Sequence, residues 1–246
     1  MRLGSVIGGA AVFLVASPQV ALAQDAMDHM SESEHMAGGG FLFTQIDRLE
    51  GRWPDDGDTS LLWDAQGWYG GDINKLWWKS EGDAEDGDVG EAELQMLYSR
   101  AITPFFDLQA GVRQDFEPDS LTYGVLGVQG LAPYWFELDA AAFVSEEGDV
   151  TSRLEAEYDL LLTQRLVLQP RAEAEIAFQD VEERGLGSGV TGVDLGLRLR
   201  YEIRRELAPY VGVEWSRLLG DTADLARAAA ESDEETVFIL GVRAWF

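Results

Sequence analysis

Between residues 41 and 246 apolar and polar positions alternate in short runs. Val193, Leu195, Leu197, Leu199 and Tyr201 fall on one face, and Gly192, Asp194, Gly196, Arg198 and Arg200 fall on the other. A period of two is the mark of a strand, because successive side chains point to opposite faces. Arg204, Arg205 and Glu206 turn the chain, and a second run sets Val211, Val213 and Trp215 against Tyr210, Gly212, Glu214 and Ser216. The pattern recurs upstream. Ala92, Leu94, Met96 and Tyr98 oppose Glu91, Glu93 and Gln95; Leu154, Ala156, Tyr158 and Leu160 oppose Arg153, Glu155, Glu157 and Asp159; Leu166, Leu168, Ala172, Ala174 and Ile176 oppose Gln169, Arg171, Glu173 and Glu175. Residues 121–131 alternate weakly, and Pro170 falls inside a run, where a bulge is expected to accommodate its missing donor.

Twelve strands are predicted, near 41–50, 59–69, 72–80, 90–100, 104–115, 121–131, 134–145, 150–161, 165–178, 190–203, 208–219 and 235–246. Such alternation fits a soluble sandwich or a membrane barrel with an apolar exterior and a polar lumen. The connections favour the barrel. Short ones at Gly70-Gly71, Ile102-Thr103, Ala132-Pro133, Leu162-Thr163 and 204–207 alternate with longer ones at 51–58, 81–89, 116–120, 146–149, 179–189 and 220–234. Outer-membrane barrels have short periplasmic turns and longer external loops. The expected fold is therefore all-β: a transmembrane antiparallel up-and-down β-barrel of 12 strands with a disordered N-terminal tail. Trp53, Trp68, Tyr69, Trp77, Trp78, Tyr134, Trp135, Tyr210 and Trp215 lie near strand ends, as interfacial girdles do. The last run places Phe238, Leu240, Val242, Ala244 and Phe246 on one face and closes on an aromatic residue.

The N-terminus agrees with export. Residues 1–23 read as a signal peptide, with Arg2, a short apolar run and Ala21-Leu22-Ala23 before Gln24. Residues 24–40 lack apolar periodicity and end in three glycines, which predicts a flexible periplasmic tail ahead of the barrel at 41–246. No later stretch holds the roughly 20 apolar residues of a spanning helix.

The formal charge of −27 opposes nucleic-acid binding. Acid gathers at Asp55-Asp56-Gly57-Asp58, Glu81 to Asp88, Ser145 to Asp149, Asp180 to Glu183 and Glu231 to Glu235, and reads as solvating loop charge on the external side. There is no cysteine, which removes thiolate metal sites and thiol nucleophiles.

The chemistry-bearing residues are concentrated. Both histidines, His29 and His35, lie beside Met27, Met30 and Met36; only Met96 falls elsewhere in the expected mature chain. Soft thioethers suit Cu(I) and imidazole suits Cu(I) or Cu(II), so these five residues are the candidate metal ligands, with copper as the ion and zinc a weaker choice. A second candidate is the lumen face, where Asp107, Arg113, Asp115, Glu137, Asp139, Glu155, Glu157, Asp159, Glu173, Glu175, Asp194, Arg198, Arg200 and Glu214 are expected to point inward, as a ladder of paired charges or a cation path. Catalysis is not expected: a Ser–His hydrolase needs a histidine, and the barrel has none.

The chain resembles the copper-resistance protein B (CopB/PcoB) family of bacterial outer-membrane proteins. The resemblance rests on DINKLWWKSEG (72–82), LYSRAITPFFDLQAGVRQDF (97–116), LGVQGLAPYWFELDAAAFV (126–144), LEAEYDLLLTQRLVLQPRAE (154–173) and GLGSGVTGVDLGLRLRYEIRRELAPYVGVEW (185–215). It implies a Met/His-rich periplasmic segment, copper binding and copper tolerance. Met27-Asp28-His29-Met30 and His35-Met36 match that segment in a short form, which implies few ions per chain. The expected function is copper capture in the periplasm with outward passage through a Gram-negative outer membrane. Its expected partners are copper ions, outer-membrane lipid and a periplasmic copper oxidase or carrier of the same resistance system. The alternative is a general or cation-selective pore with no specific copper role.

Overall fold

Most strands of the barrel present one apolar and one polar face, and closing the sheet puts the polar faces together. A computed structural model describes residues 40–55, 58–181 and 184–246. The expected signal peptide and tail, with Asp56, Gly57, Glu182 and Glu183 of the acidic runs, lie outside the described residues. Twelve antiparallel strands follow one another around the barrel. They are β1 (Phe41–Pro54), β2 (Ser60–Gly70), β3 (Asn74–Glu85), β4 (Asp88–Ala101), β5 (Phe106–Glu117) and β6 (Thr122–Ala132). Then come β7 (Phe136–Ser145), β8 (Val150–Glu157, resumed at Leu160–Leu161), β9 (Leu166–Ala177), β10 (Gly189–Tyr201), β11 (Leu207–Leu218) and β12 (Glu234–Trp245).

Closure is made by β1 and β12, with Gln45 opposite Trp245 and Trp53 opposite Phe238. Thr44 N–H donates to Phe246 O at 3.0 Å and Phe246 N–H returns the bond to Thr44 O at 2.9 Å. Closure pairs both edges of the sheet, which an isolated strand edge in lipid would leave unsatisfied. The outer face is apolar: Leu126, Leu195, Leu197, Val211, Val213, Phe238, Leu240 and Val242 all point away from the lumen. Among the described residues no helix is long and apolar enough to cross a membrane.

Three expectations change. The acidic run from Glu81 is not a long loop, because β3 and β4 continue to Glu85 and Asp88 and meet at a two-residue turn. Asp86 (φ 51°) and Gly87 (φ 94°) both take the left-handed conformation that such a hairpin requires. Loop length therefore separates the two ends less sharply than expected, and only 178–188 and 219–233 are long. Pro170 sits in β9 without a bulge: it pairs with Leu197 in unbroken register, and the bulge falls at Glu175–Ile176. The neighbour yields instead. Pro170 offers no N–H toward β8, and β8 loses its ladder at Tyr158–Asp159, keeping only the bond from Tyr158 N–H to Pro170 O at 3.1 Å.

The third change concerns 220–234, where a helix, α1 (Gly220–Ala228), replaces part of the expected loop. It buries Thr222, Ala223 and Ala226. Gly187 N–H donates to Thr222 Oγ1 at 2.9 Å, which ties the 178–188 loop to the helix. In that loop Ser188 donates to Asp180, and these bonds hold the Asp180 carboxyl below the usual carboxylate range.

The weak alternation of β6 has a packing cause. Its inward residues Tyr123 and Val125 join Leu97 and Phe143 in a buried apolar cluster inside the barrel, so both faces of this strand are apolar.

Candidate functional site

The lumen is lined by the alternate, inward positions of the twelve strands, most of them polar. Strand β1 adds a twist: its register shifts between Ile46 and Leu49. The bulge puts Asp47 and Arg48 on the same face, so Phe43 and Gln45 face inward before it and Glu50 and Arg52 after it. Bulges re-aim side chains in this way.

Two cavities adjoin within the lumen, one of about 490 Å³ toward the end that carries Phe41 and Phe246 and one of about 770 Å³ toward the opposite end. They share Arg48, Glu81, Glu93, Phe143 and Arg153, which form the partition between them. The smaller is lined by nine carboxylates and seven cationic side chains, the larger by twelve and six. Acid is thus in excess in both.

Nearly every charge has a partner. On one side Arg198 Nε lies 2.8 Å from Glu50 Oε1, and its Nη2 lies 2.9 Å from Glu214 Oε2. Arg52 Nη2 reaches Glu214 Oε1 at 2.7 Å. Glu50 is fully buried, so this group survives only as a hydrogen-bonded set. Elsewhere Arg48 pairs with Asp64 at 3.0 Å and Glu81 at 2.7 Å, Arg113 with Glu93 at 2.8 Å and Asp115 at 2.6 Å, and Arg171 with Glu155 at 2.7 Å and with Glu173. The Arg113 guanidinium also lies 5.2 Å and 5.1 Å from the rings of Tyr123 and Phe143, where a cation meets the negative faces of both aromatics.

Each of the inward-facing charges expected from alternation lies in the lumen. Asp107 pairs with Lys75 at 2.6 Å, Asp139 with Lys79, Asp159 with Arg200 at 2.5 Å and Glu175 with Arg153 at 3.4 Å. Glu137, Glu157 and Asp194 line the cavities. The sequence reading missed Arg48, Glu50, Arg52, Asp64 and Glu81. The adjacent pair Asp47-Arg48 was the available signal, since two charges side by side break an alternating strand.

Aromatic residues need a correction. Trp68, Trp77 and Tyr210 are not girdle residues: they face the lumen. Trp68 and Trp77 pack in a tilted pair with centroids 6.4 Å apart, Phe43 stacks 6.1 Å from Trp68, and Lys75 Nζ sits 5.6 Å over the Trp68 ring. Tyr69, Tyr134, Trp135, Phe41 and Phe246 do point outward at the end that carries Phe41 and Phe246.

The metal candidates Met27, His29, Met30, His35 and Met36 lie outside the described residues. The barrel has neither histidine nor cysteine, and its one methionine, Met96, faces outward. Among the described residues no group of three or more His, Cys, Asp or Glu is arranged to hold a metal ion. The lumen therefore offers only hard oxygen donors, most already engaged by guanidinium.

Comparison with known proteins agrees with this architecture. The family model described as copper resistance protein B precursor (CopB) matches residues 41–246. Copper resistance protein B of Escherichia coli is 49% identical over 203 residues, covering 82% of this chain and 68% of that protein. A copper resistance protein B homolog of Pseudomonas syringae pv. tomato is 42% identical over 233 residues, covering 93% and 79%. Among solved structures, the NanC porin (TM-score 0.53, 10% identity, 83% of this chain and 99% of that one) and the KdgM porin (0.50, 12%, 82% and 99%) share the fold. The chain belongs to the copper resistance protein B family, as an outer-membrane β-barrel of copper resistance.

Proposed function

We propose that the chain captures copper on the segment bearing Met27, His29, Met30, His35 and Met36, and that the barrel offers cations a path across the outer membrane. The observation that carries this reading is the separation of donors. Every imidazole, and every thioether except Met96, lies before residue 37, while the lumen contains oxygen donors alone. Thioether and imidazole bind Cu(I) in preference to hard cations. Capture and conduction are thus assigned to different parts of one chain. The tail is assigned to the periplasm, on the side of the short turns, and passage runs down the copper gradient because nothing in a barrel of paired charges couples it to energy. The reading is not enzymatic: the lumen pairs its carboxylates with arginine and lysine, not with a nucleophile.

Copper tolerance tests it. Cells expressing the chain with all five tail ligands replaced by alanine are expected to lose the tolerance that the wild-type chain confers, with equal amounts of folded barrel. Unchanged tolerance would favour the second reading, a cation-selective pore, which the excess of acid in both cavities supports.

A further inference from the structure

Most lumenal ion pairs join strands that are neighbours or near neighbours on one wall. Arg48 of β1 reaches β2 and β3, Arg171 of β9 reaches β8, and Arg113 of β5 reaches β4. Two residues reach farther: Lys79 of β3 pairs with Asp139 of β7 within one cavity, and Arg153 stands at the partition between the two. Arg153 rises from β8, and its Nη1 lies 3.0 Å from Glu81 Oε2 on β3, on the facing wall of a twelve-strand barrel. Its Nη2 lies 3.8 Å from Glu93 on β4 and 3.4 Å from Glu175 on β9, and its Nε lies 3.2 Å from Glu173 without a hydrogen bond to it. Of the five residues shared by the two cavities, Arg153 is the one that spans from wall to wall.

Three of the four carboxylates it touches do not depend on it, and the fourth, Glu175, is 45% exposed and open to water. Glu81 keeps Arg48 at 2.7 Å, Glu93 keeps Arg113 at 2.8 Å, and Glu173 keeps Arg171. Arg153 is also loosely held. Its side chain is 24% exposed, against 8% for Arg48 and 4% for Arg171, and three of its four contacts are 3.2 Å or longer. A brace whose buried partners are satisfied without it, and which retains access to water, is free to move aside.

We infer that Arg153 is the gate of the lumen: it closes the partition between the two cavities and sets the conductance and charge selectivity of the barrel. With Arg153 across the lumen, a cation meets a guanidinium at the partition between the two cavities. With Arg153 withdrawn, the two cavities join along a wall of Glu81, Glu93, Glu173 and Glu175. This inference rests on reading the lumen as an ion path, and it is independent of copper capture by the tail.

Planar-bilayer recording of the full-length protein in potassium chloride tests it, with heat-modifiable mobility on gels as the check of folding. Arg153→Gln is expected to fold, to raise unitary conductance several-fold, and to shift the reversal potential toward greater cation preference. Arg153→Lys is expected to stay near wild type. Glu81→Gln combined with Glu93→Gln frees Arg153 from the facing wall; conductance is expected to rise while cation preference falls. Opposite shifts in selectivity are not produced by mere loosening of the barrel. Folded Arg153→Gln with wild-type currents would overturn the inference. So would its failure to fold, since the gate is argued to be dispensable to the walls. Unchanged potassium currents would leave copper capture standing, and loss of tolerance in the five-site tail variant is read separately from these currents.

Discussion

The Tyr210 hydroxyl donates to Glu50 Oε1 at 2.9 Å, although β12 runs between the two strands that carry them. The contact exists because residue 241, the β12 partner of both, is glycine. A Cβ there would stand 2.5 Å from the Tyr210 ring. The tyrosine crosses the bare backbone and completes the shell of a fully buried carboxylate.

Gly241→Ala is therefore expected to displace Tyr210 and destabilise the barrel by about 1–3 kcal/mol, the usual cost of overpacking. Tyr210→Phe removes only the hydrogen bond and is expected to cost about 1 kcal/mol, since Arg198 still holds Glu50. Urea unfolding of the refolded protein in lipid or detergent, followed by tryptophan emission, separates the two; equal effects would mean that the crossing is not set by Gly241.

Arg198→Ala tests the buried network more severely. It leaves Glu50 facing Tyr210 and a 3.6 Å contact to Arg52. Losing one partner of a buried pair strands the other, with an expected loss of roughly 3–5 kcal/mol. Arg227→Ala removes a solvent-exposed pair with Asp224 on α1 and is expected to cost about 0–1 kcal/mol. Similar losses for both in the same unfolding assay would contradict the placement of Arg198 in a buried ion-pair network.

One residue earlier the environment inverts. Leu197 points outward from the middle of β10, whereas Arg198 points inward. Leu197→Arg puts a charge on the lipid face, at an expected cost of roughly 2–4 kcal/mol near the bilayer midplane. Reduced assembly into the outer membrane, read as loss of the heat-modifiable band, is the expected outcome; normal assembly would place β10 outside the hydrocarbon.

The strands and their lumen faces were legible because period two is a local property that each strand carries alone. Val193 to Tyr201 and Val211 to Trp215 took the predicted faces, and the last strand closed the barrel through Phe246. What failed depended on neighbours. Trp68, Trp77 and Tyr210 are large aromatics near strand ends, and that position suits a girdle as well as a lumen. For Tyr210 the parity shared with Glu214 was the better guide. Pro170 was expected to distort its own strand, but the cost fell on β8 across the ladder. The Glu81 run looked like loop because charge density outweighed the alternation that carries β3 to Glu85. The Arg153 crossing was not legible at all, since it joins residues 72 positions apart whose facing depends on closure.

The central claim is that copper is held by Met27, His29, Met30, His35 and Met36 and not by the barrel. Its most direct test is titration of the full-length refolded protein with Cu(I) and Cu(II), wild type against the variant with all five residues replaced by alanine. Tight copper binding by the wild type and its loss in a normally folded variant is the predicted result. Binding that survives intact would contradict the account and move the site to the oxygen donors of the lumen.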